Sequence, residues 1–133
     1  MFEWNPIYSI GVEQYDEQHK RLFAIAQKLY EAMSTGQGRA VLNDIFDELV
    51  DYTRTHFASE EALMGRYGYP DYAIHRQQHE ELTQQVLELR EKYRNGQIAL
   101  SITVMNFLKD WLRNHIYDSD KRYGQFLNAK GVR

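Results

Sequence analysis

Apolar residues in this chain recur in steps of three and four along four separate stretches, the spacing of helices that each bury one face. The first stripe runs His19, Leu22, Ala26, Leu29 and Met33, and the second Leu42, Ile45, Leu49, Tyr52, His56 and Leu63. The third runs His75, His79, Leu82, Val86, Leu89 and Tyr93, and the fourth Ile98, Met105, Leu108, Leu112 and His115. Breaks fall at Gly36 and Gly38, at Gly65, Gly68 and Pro70, and at Asn95-Gly96. Together these predict helices over about 16–34, 39–66, 70–94 and 98–117, and a shorter helical piece ending near Asn128. Asp16 is the expected N-cap of the first helix, and Pro70 the expected first residue of the third. Residues 1–12 lack the period and read as an irregular arm anchored by Trp4, Ile7, Tyr8, Ile10 and Val12.

Short connections make neighbouring helices antiparallel. The expected fold is therefore all-α: an up-down-up-down antiparallel four-helix bundle with an irregular N-terminal arm. A length of 133 residues points to a single domain, 1–133. In this arrangement His19, near the start of the first helix, shares one end of the bundle with His56 and Glu60, near the end of the second. His75 and His79 open the third helix and His115 lies near the end of the fourth, so all five histidines of the chain come to that same end.

Composition narrows the chemistry. The absence of cysteine excludes disulfides, thiolate metal sites and thiol catalysis, so any metal must be held by nitrogen and oxygen donors. Net charge is −3 and no basic run appears, which argues against a nucleic-acid partner. The opening Met-Phe-Glu-Trp-Asn-Pro lacks the basic-then-apolar pattern of a signal peptide, and no stretch is apolar enough to span a bilayer. A cytoplasmic protein without membrane insertion is the expectation.

One inward histidine is usually a hydrogen-bonded core residue. Five of them converging without partners would be costly to bury, whereas five imidazoles with nearby carboxylates make a ligand set for a metal pair. His75/His79 and His56/Glu60 are each spaced by four, placing both members on one helix face. The histidine pair is the more specific signal, because histidine is rarer here than acidic residues, five against 19. The acid beyond His115 is ambiguous. Asp118, three residues on, suits a regular helix, while Asp120, five on, would point roughly 140° away unless the helix widens or ends between them.

These residues lie in segments that resemble the hemerythrin family, in particular single-domain bacterial hemerythrins. The matching segments are Gly11-Val12 through Asp16-Glu17-Gln18-His19, and His56-Phe57-Ala58-Ser59-Glu60-Glu61-Ala62-Leu63-Met64. Gly68-Tyr69-Pro70 followed by His75 and His79 also matches, as does Trp111-Leu112-Arg113-Asn114-His115-Ile116 followed by Asp120. The resemblance covers nearly the whole chain and selects Asp120 over Asp118. It implies a cofactor of two iron ions with a bridging oxo or hydroxo group. His75, His79 and His115 would hold one iron, His19 and His56 the other, and Glu60 and Asp120 would bridge both. Of twelve octahedral positions eleven are then filled, leaving one open on the iron with two histidines.

The implied function is reversible dioxygen binding for transport, storage or delivery, without catalysis, with dioxygen as ligand and an oxygen-consuming protein as the expected partner class. The alternatives are a di-iron enzyme acting on peroxide or nitric oxide, and an oxygen- or iron-sensing module. The chain ends where the bundle ends, which counts against the sensor. No Glu-x-x-His pair of the di-iron oxidases occurs, and Arg76 after His75 excludes an HExxH zinc site. A monomer is the expectation. Leu112, one turn before His115, is expected at the open position, with Trp111, Ile25, Phe57 and Ile116 as the rest of an apolar oxygen pocket. Gln18, Glu61 and Gln78 are candidates to hold the outer nitrogens of the histidines. The ten tyrosines read mainly as packing residues.

Overall fold

The computed structural model describes all 133 residues. Helix α1 (Glu13–Ser34) begins ahead of Asp16, so that residue is not its N-cap. Its carboxylate instead turns back to the arm, accepting from Ser9 Oγ at 2.5 Å and from the Ile10 N–H at 2.8 Å. In the first turn it also meets the positive end of the helix dipole. Val12 takes the cap position without a side-chain hydrogen bond and buries its side chain.

Helix α2 (Arg39–Tyr67) ends at Gly68, whose φ of +67° suits glycine, and the Tyr69 N–H closes onto the Met64 carbonyl at 3.0 Å. Helix α3 (Tyr72–Arg94) starts beyond Pro70, which stays in the turn. The Tyr69 ring is drawn inward, 5.1 Å from that of Tyr123 and 4.9 Å from that of Phe126, and the turn closes with the Tyr72 N–H on the Tyr69 carbonyl at 3.1 Å. Helix α4 (Ile102–His115) also starts later than the stripe predicts. The N–H groups of Gln97 and Ile98 both bond back to the Lys92 carbonyl and so finish α3, and the Ser101 hydroxyl then accepts from the Val104 N–H at 3.3 Å. Residues Ile116–Asp120 form a π-helical turn that leads without a break into α5 (Lys121–Ala129).

The four rods, α1, α2, α3 and α4–α5, form an up-down-up-down four-helix bundle, with α1 against α2 and α2 against α3 as its main seams. On α2 the inward face follows 3.6 residues per turn rather than the 3.5 of a heptad, so it drifts over the helix. Thr53 and Met64 are fully buried where the heptad stripe placed Tyr52 and Leu63, which are half-buried. Met33, Leu82, Leu89 and Ile98 are likewise half-buried at the seams.

The arm packs as a strap. Phe2, Tyr8, Ile10 and Val12 are buried, and Tyr8 stacks on Phe23 at 5.3 Å with Trp4 edge-on to both. Ile7, expected as an anchor, is 54% exposed because the 3₁₀ turn Pro6–Tyr8 turns it outward. Phe2 takes its place, held by its own N–H and the N-terminal amine on Gln27 Oε1. The arm's Ile10 carbonyl lies directly against Gly124, where a Cβ would come within 1.9 Å of it. No helix is long and apolar enough to cross a membrane.

Candidate metal centre

Antiparallel packing places the start of α1, the end of α2, the start of α3 and the end of α4 at one pole of the bundle. There the structure brings together all seven side chains singled out above. Their donor atoms form two groups that share both carboxylates: His75, His79 and His115 with Glu60 and Asp120, and His19 and His56 with the same pair. Glu60 Oε1 lies 2.6 Å from His56 Nε2 and 3.3 Å from His19 Nε2, and its Oε2 lies 3.4 Å from His79 and 3.6 Å from His75. Asp120 Oδ1 lies 3.0 Å from His75 and 3.2 Å from His115, and its Oδ2 lies 3.2 Å from His19. Each carboxylate thus presents one oxygen to each histidine group.

Asp120 reaches the centre through the π turn, in which the Lys121 N–H bonds to the Ile116 carbonyl five residues back. The turn absorbs the residue by which a five-residue offset overshoots a regular helix. Asp118, the choice for an unbroken α-helix, faces solvent.

The donor set fits a pair of cations. Buried Nε2 atoms of His56, His75, His79 and His115, Oε2 of Glu60 and both Asp120 oxygens have no hydrogen-bond partner, although they face one another at short range. Orphaned polar atoms at this density are costly in a protein interior, and metal coordination satisfies them together. The protein groups also charge one another. Burial works against ionising Asp120 and Glu60, but His115 and His19 beside Asp120, and His56 and His19 beside Glu60, hold both acids well below the usual carboxylate range. Burial likewise opposes charging His19 and His75, and the two carboxylates overcome it, raising both to about 9.

Outer contacts orient two of the rings. Gln18 Oε1 lies 2.6 Å from His56 Nδ1, and Glu61 Oε2 lies 3.3 Å from His79 Nδ1. Gln78 holds no histidine; its Oε1 accepts from Ser119 Oγ at 2.6 Å. Phe57 stacks flat on His79, with centroids 3.9 Å apart.

A narrow cavity adjoins the centre, with about 10 Å³ of room, at the lower limit for a single water-sized guest. Its wall is Leu22, Phe57, Leu82, Trp111, Leu112 and Ile116 together with His19, His56, His115 and Asp120. Ile25 is buried but does not line it; from α1 that role falls to Leu22, one turn beyond His19. Leu82, one turn beyond His79, joins the wall from α3 without a sequence signal of its own, and its carbonyl accepts from Trp111 Nε1 at 3.0 Å. Tyr15 and Tyr123, packing residues by sequence, also reach the backbone of α2 beside Glu60. The signal was their spacing, one helical turn from His19 and from Asp120. Burial raises the pKa of both phenols and keeps them protonated.

A family model described as the hemerythrin HHE cation binding domain matches residues 10–127. The chain is 38% identical over 114 residues to a bacteriohemerythrin of Methylococcus capsulatus, covering 86% of each. It is 36% identical over 126 residues to a bacteriohemerythrin of Stenotrophomonas maltophilia, covering 95% of this chain and 81% of that one. A crystal structure of wild-type hemerythrin superposes with a TM-score of 0.86 at 35% identity, covering 92% of this chain and 95% of the other.

Proposed function

This chain belongs to the hemerythrin family, and on that premise we propose that it binds dioxygen reversibly at a pair of iron ions, for transport, storage or delivery of oxygen. His75, His79 and His115 would hold one ion, His19 and His56 the other, with Glu60 and Asp120 between them. Two ferrous ions, when bound, supply the two electrons on which reversible oxygen binding draws.

The observation that carries this reading is where the cavity lies. Both His19 and His56 line it, whereas of the other three only His115 does, and His75 and His79 lie outside its wall. The apolar space thus takes in the whole histidine pair, the side with fewer protein donors, where a bound ion would have room for a small guest. Leu22, Phe57, Leu82, Trp111, Leu112 and Ile116 give that space a mainly apolar wall away from the ligands, which favours entry and release of a neutral diatomic. Gln18 and Glu61 fix the rings of His56 and His79 so that both keep an Nε2 directed inward.

The test is iron content per chain combined with visible absorption under cycles of oxygen and vacuum. The proposal expects close to two irons and an oxygen-dependent band that bleaches and returns. Purification with zinc, or a band that does not reverse, rejects it. Turnover of peroxide or nitric oxide by the iron-loaded protein would favour the enzymatic alternative.

A further inference from the structure

Tyr15 and Tyr123 are among the most completely buried side chains of the protein, at 1% and 0% exposure. They come from different helices, yet their hydroxyls end on consecutive carbonyls of a third. Tyr15 on α1 donates to the Ser59 carbonyl at 3.2 Å, and Tyr123 on α5 donates to the Glu60 carbonyl at 3.3 Å. Both acceptors lie within the continuous helix α2, where each carbonyl has a second lone pair free for a lateral donor. The rings are 6.1 Å apart; Tyr15 sits edge-on to His56 at 6.2 Å and Tyr123 edge-on to His75 at 5.8 Å.

Packing alone does not require these hydroxyls, because phenylalanine would fill the same apolar volume. Their placement matches a geometric demand of the centre. Glu60 must offer one oxygen to each histidine group, and Asp120 must do the same from another helix. A small rotation of α2 about its axis would break that sharing. Tyr15 lies one turn before His19, and Tyr123 lies one turn after Asp120. The two hydroxyls therefore tie the backbone of Glu60 to the helix that carries His19 and to the helix that carries Asp120.

We propose that Tyr15 and Tyr123 are positioning residues that set the rotation of α2 at Glu60, so that the two carboxylates are shared between both metal positions. The inference rests on the dinuclear reading of the seven ligands, but not on oxygen binding. Loss of this pair of ties weakens occupancy of the paired site on the scale of outer-shell contacts, about tenfold or more in metal affinity, through one hydroxyl or both.

The experiment uses Tyr15→Phe, Tyr123→Phe and the unmodified protein, stripped of metal and titrated with cobalt(II). Isotherms give stoichiometry and affinity, and absorption and magnetic susceptibility report ligand geometry and coupling between the ions. Carbonyl ¹³C shifts of Ser59 and Glu60 in the stripped proteins report the two hydrogen bonds directly. The expected result is a second cobalt bound about tenfold more weakly in at least one variant, with altered spectra and reduced coupling, and a shift confined to the carbonyl that lost its donor. Wild-type isotherms and spectra in both variants, with only a lowered melting temperature, would show the hydroxyls to be structural and overturn the proposal. Fewer than two cobalt ions in the unmodified protein would overturn the dinuclear reading, and this inference with it.

Discussion

Leu112→Asn is nearly isosteric, so its consequences report polarity rather than volume. Leu112 is 4% exposed and forms part of the cavity wall beside His115. Removing its buried apolar surface costs about 1.5–3 kcal/mol. The carboxamide that replaces it joins a wall whose apolar members Leu22, Phe57, Trp111 and Ile116 offer it no free side-chain partner, and in the metal-loaded protein, where the ligand atoms are engaged, an unsatisfied amide costs roughly 1–3 kcal/mol more. The sum, about 2.5–6 kcal/mol, is below most of the 5–15 kcal/mol stability range of an ordinary domain, so the variant is expected to fold but to melt roughly 10–20 °C lower. Its effect on chemistry should run the other way. An amide donor, or a water it recruits, stabilises departing superoxide, and one hydrogen bond of about 1.4 kcal/mol in the transition state accelerates that loss tenfold. The assay is autoxidation of the oxygenated iron protein by stopped-flow absorbance, alongside thermal unfolding of the stripped protein. A lowered melting temperature with an unchanged autoxidation rate would refute the idea that the dry wall at Leu112 protects the centre.

In the metal-stripped protein, His19 and His75 titrate near 9 instead of 6.5, so their stabilising contribution is complete below pH 6.5 and is lost as pH rises through about 9. Denaturation midpoints should fall over that window, whereas cobalt affinity should rise with pH because binding expels those protons. Asp120→Asn should reduce metal stoichiometry below two, while Asp118→Asn, on the solvent side of the same turn, should leave it unchanged; equal losses in both would contradict the ligand assignment. Gly124→Ala places a methyl 1.9 Å from the Ile10 carbonyl, so the arm must lift from α5. An urea midpoint lowered by about 1–3 kcal/mol of stability is expected, and no change would show that the arm repositions freely.

Most of the bundle was legible because its cause is a period that sequence displays directly. The stripes through Leu22, Leu49 and Leu108 lead to the core, and the hemerythrin resemblance rests on residues spread along almost the whole chain. Features set by competition between neighbouring groups were not legible. Nothing local shows that Lys92 accepts from both Gln97 and Ile98, which delays α4 to Ser101, or that Tyr69 swings inward and leaves Pro70 outside a helix. The heptad reading of α2 missed at two positions for a different reason: periods of 3.5 and 3.6 diverge by about 0.1 residue per turn, which is enough to tip the buried place to the next residue at Thr53 and Met64 while His56 stays on the stripe. At the candidate site, side-chain identities were visible in the sequence, but their hydroxyl and amide partners were not. Gln18, Glu61 and Gln78 looked equivalent on paper, and only three-dimensional placement separates the two that meet a histidine from the one that meets Ser119.

The widened turn at residues 116–120 also bears on how the chain tolerates changes in length. It stores one surplus residue as slack. Removing exposed Tyr117 would let the turn relax to ordinary α-helix while Asp120, Tyr123, Gly124 and Leu127 keep their angular phase, because the slack is what disappears. The same excision one or two turns away would have no slack to draw on, and every side chain downstream would swing by roughly 100°. The fourth rod therefore works like a vernier, with its single adjustable notch beside the most demanding alignment in the molecule.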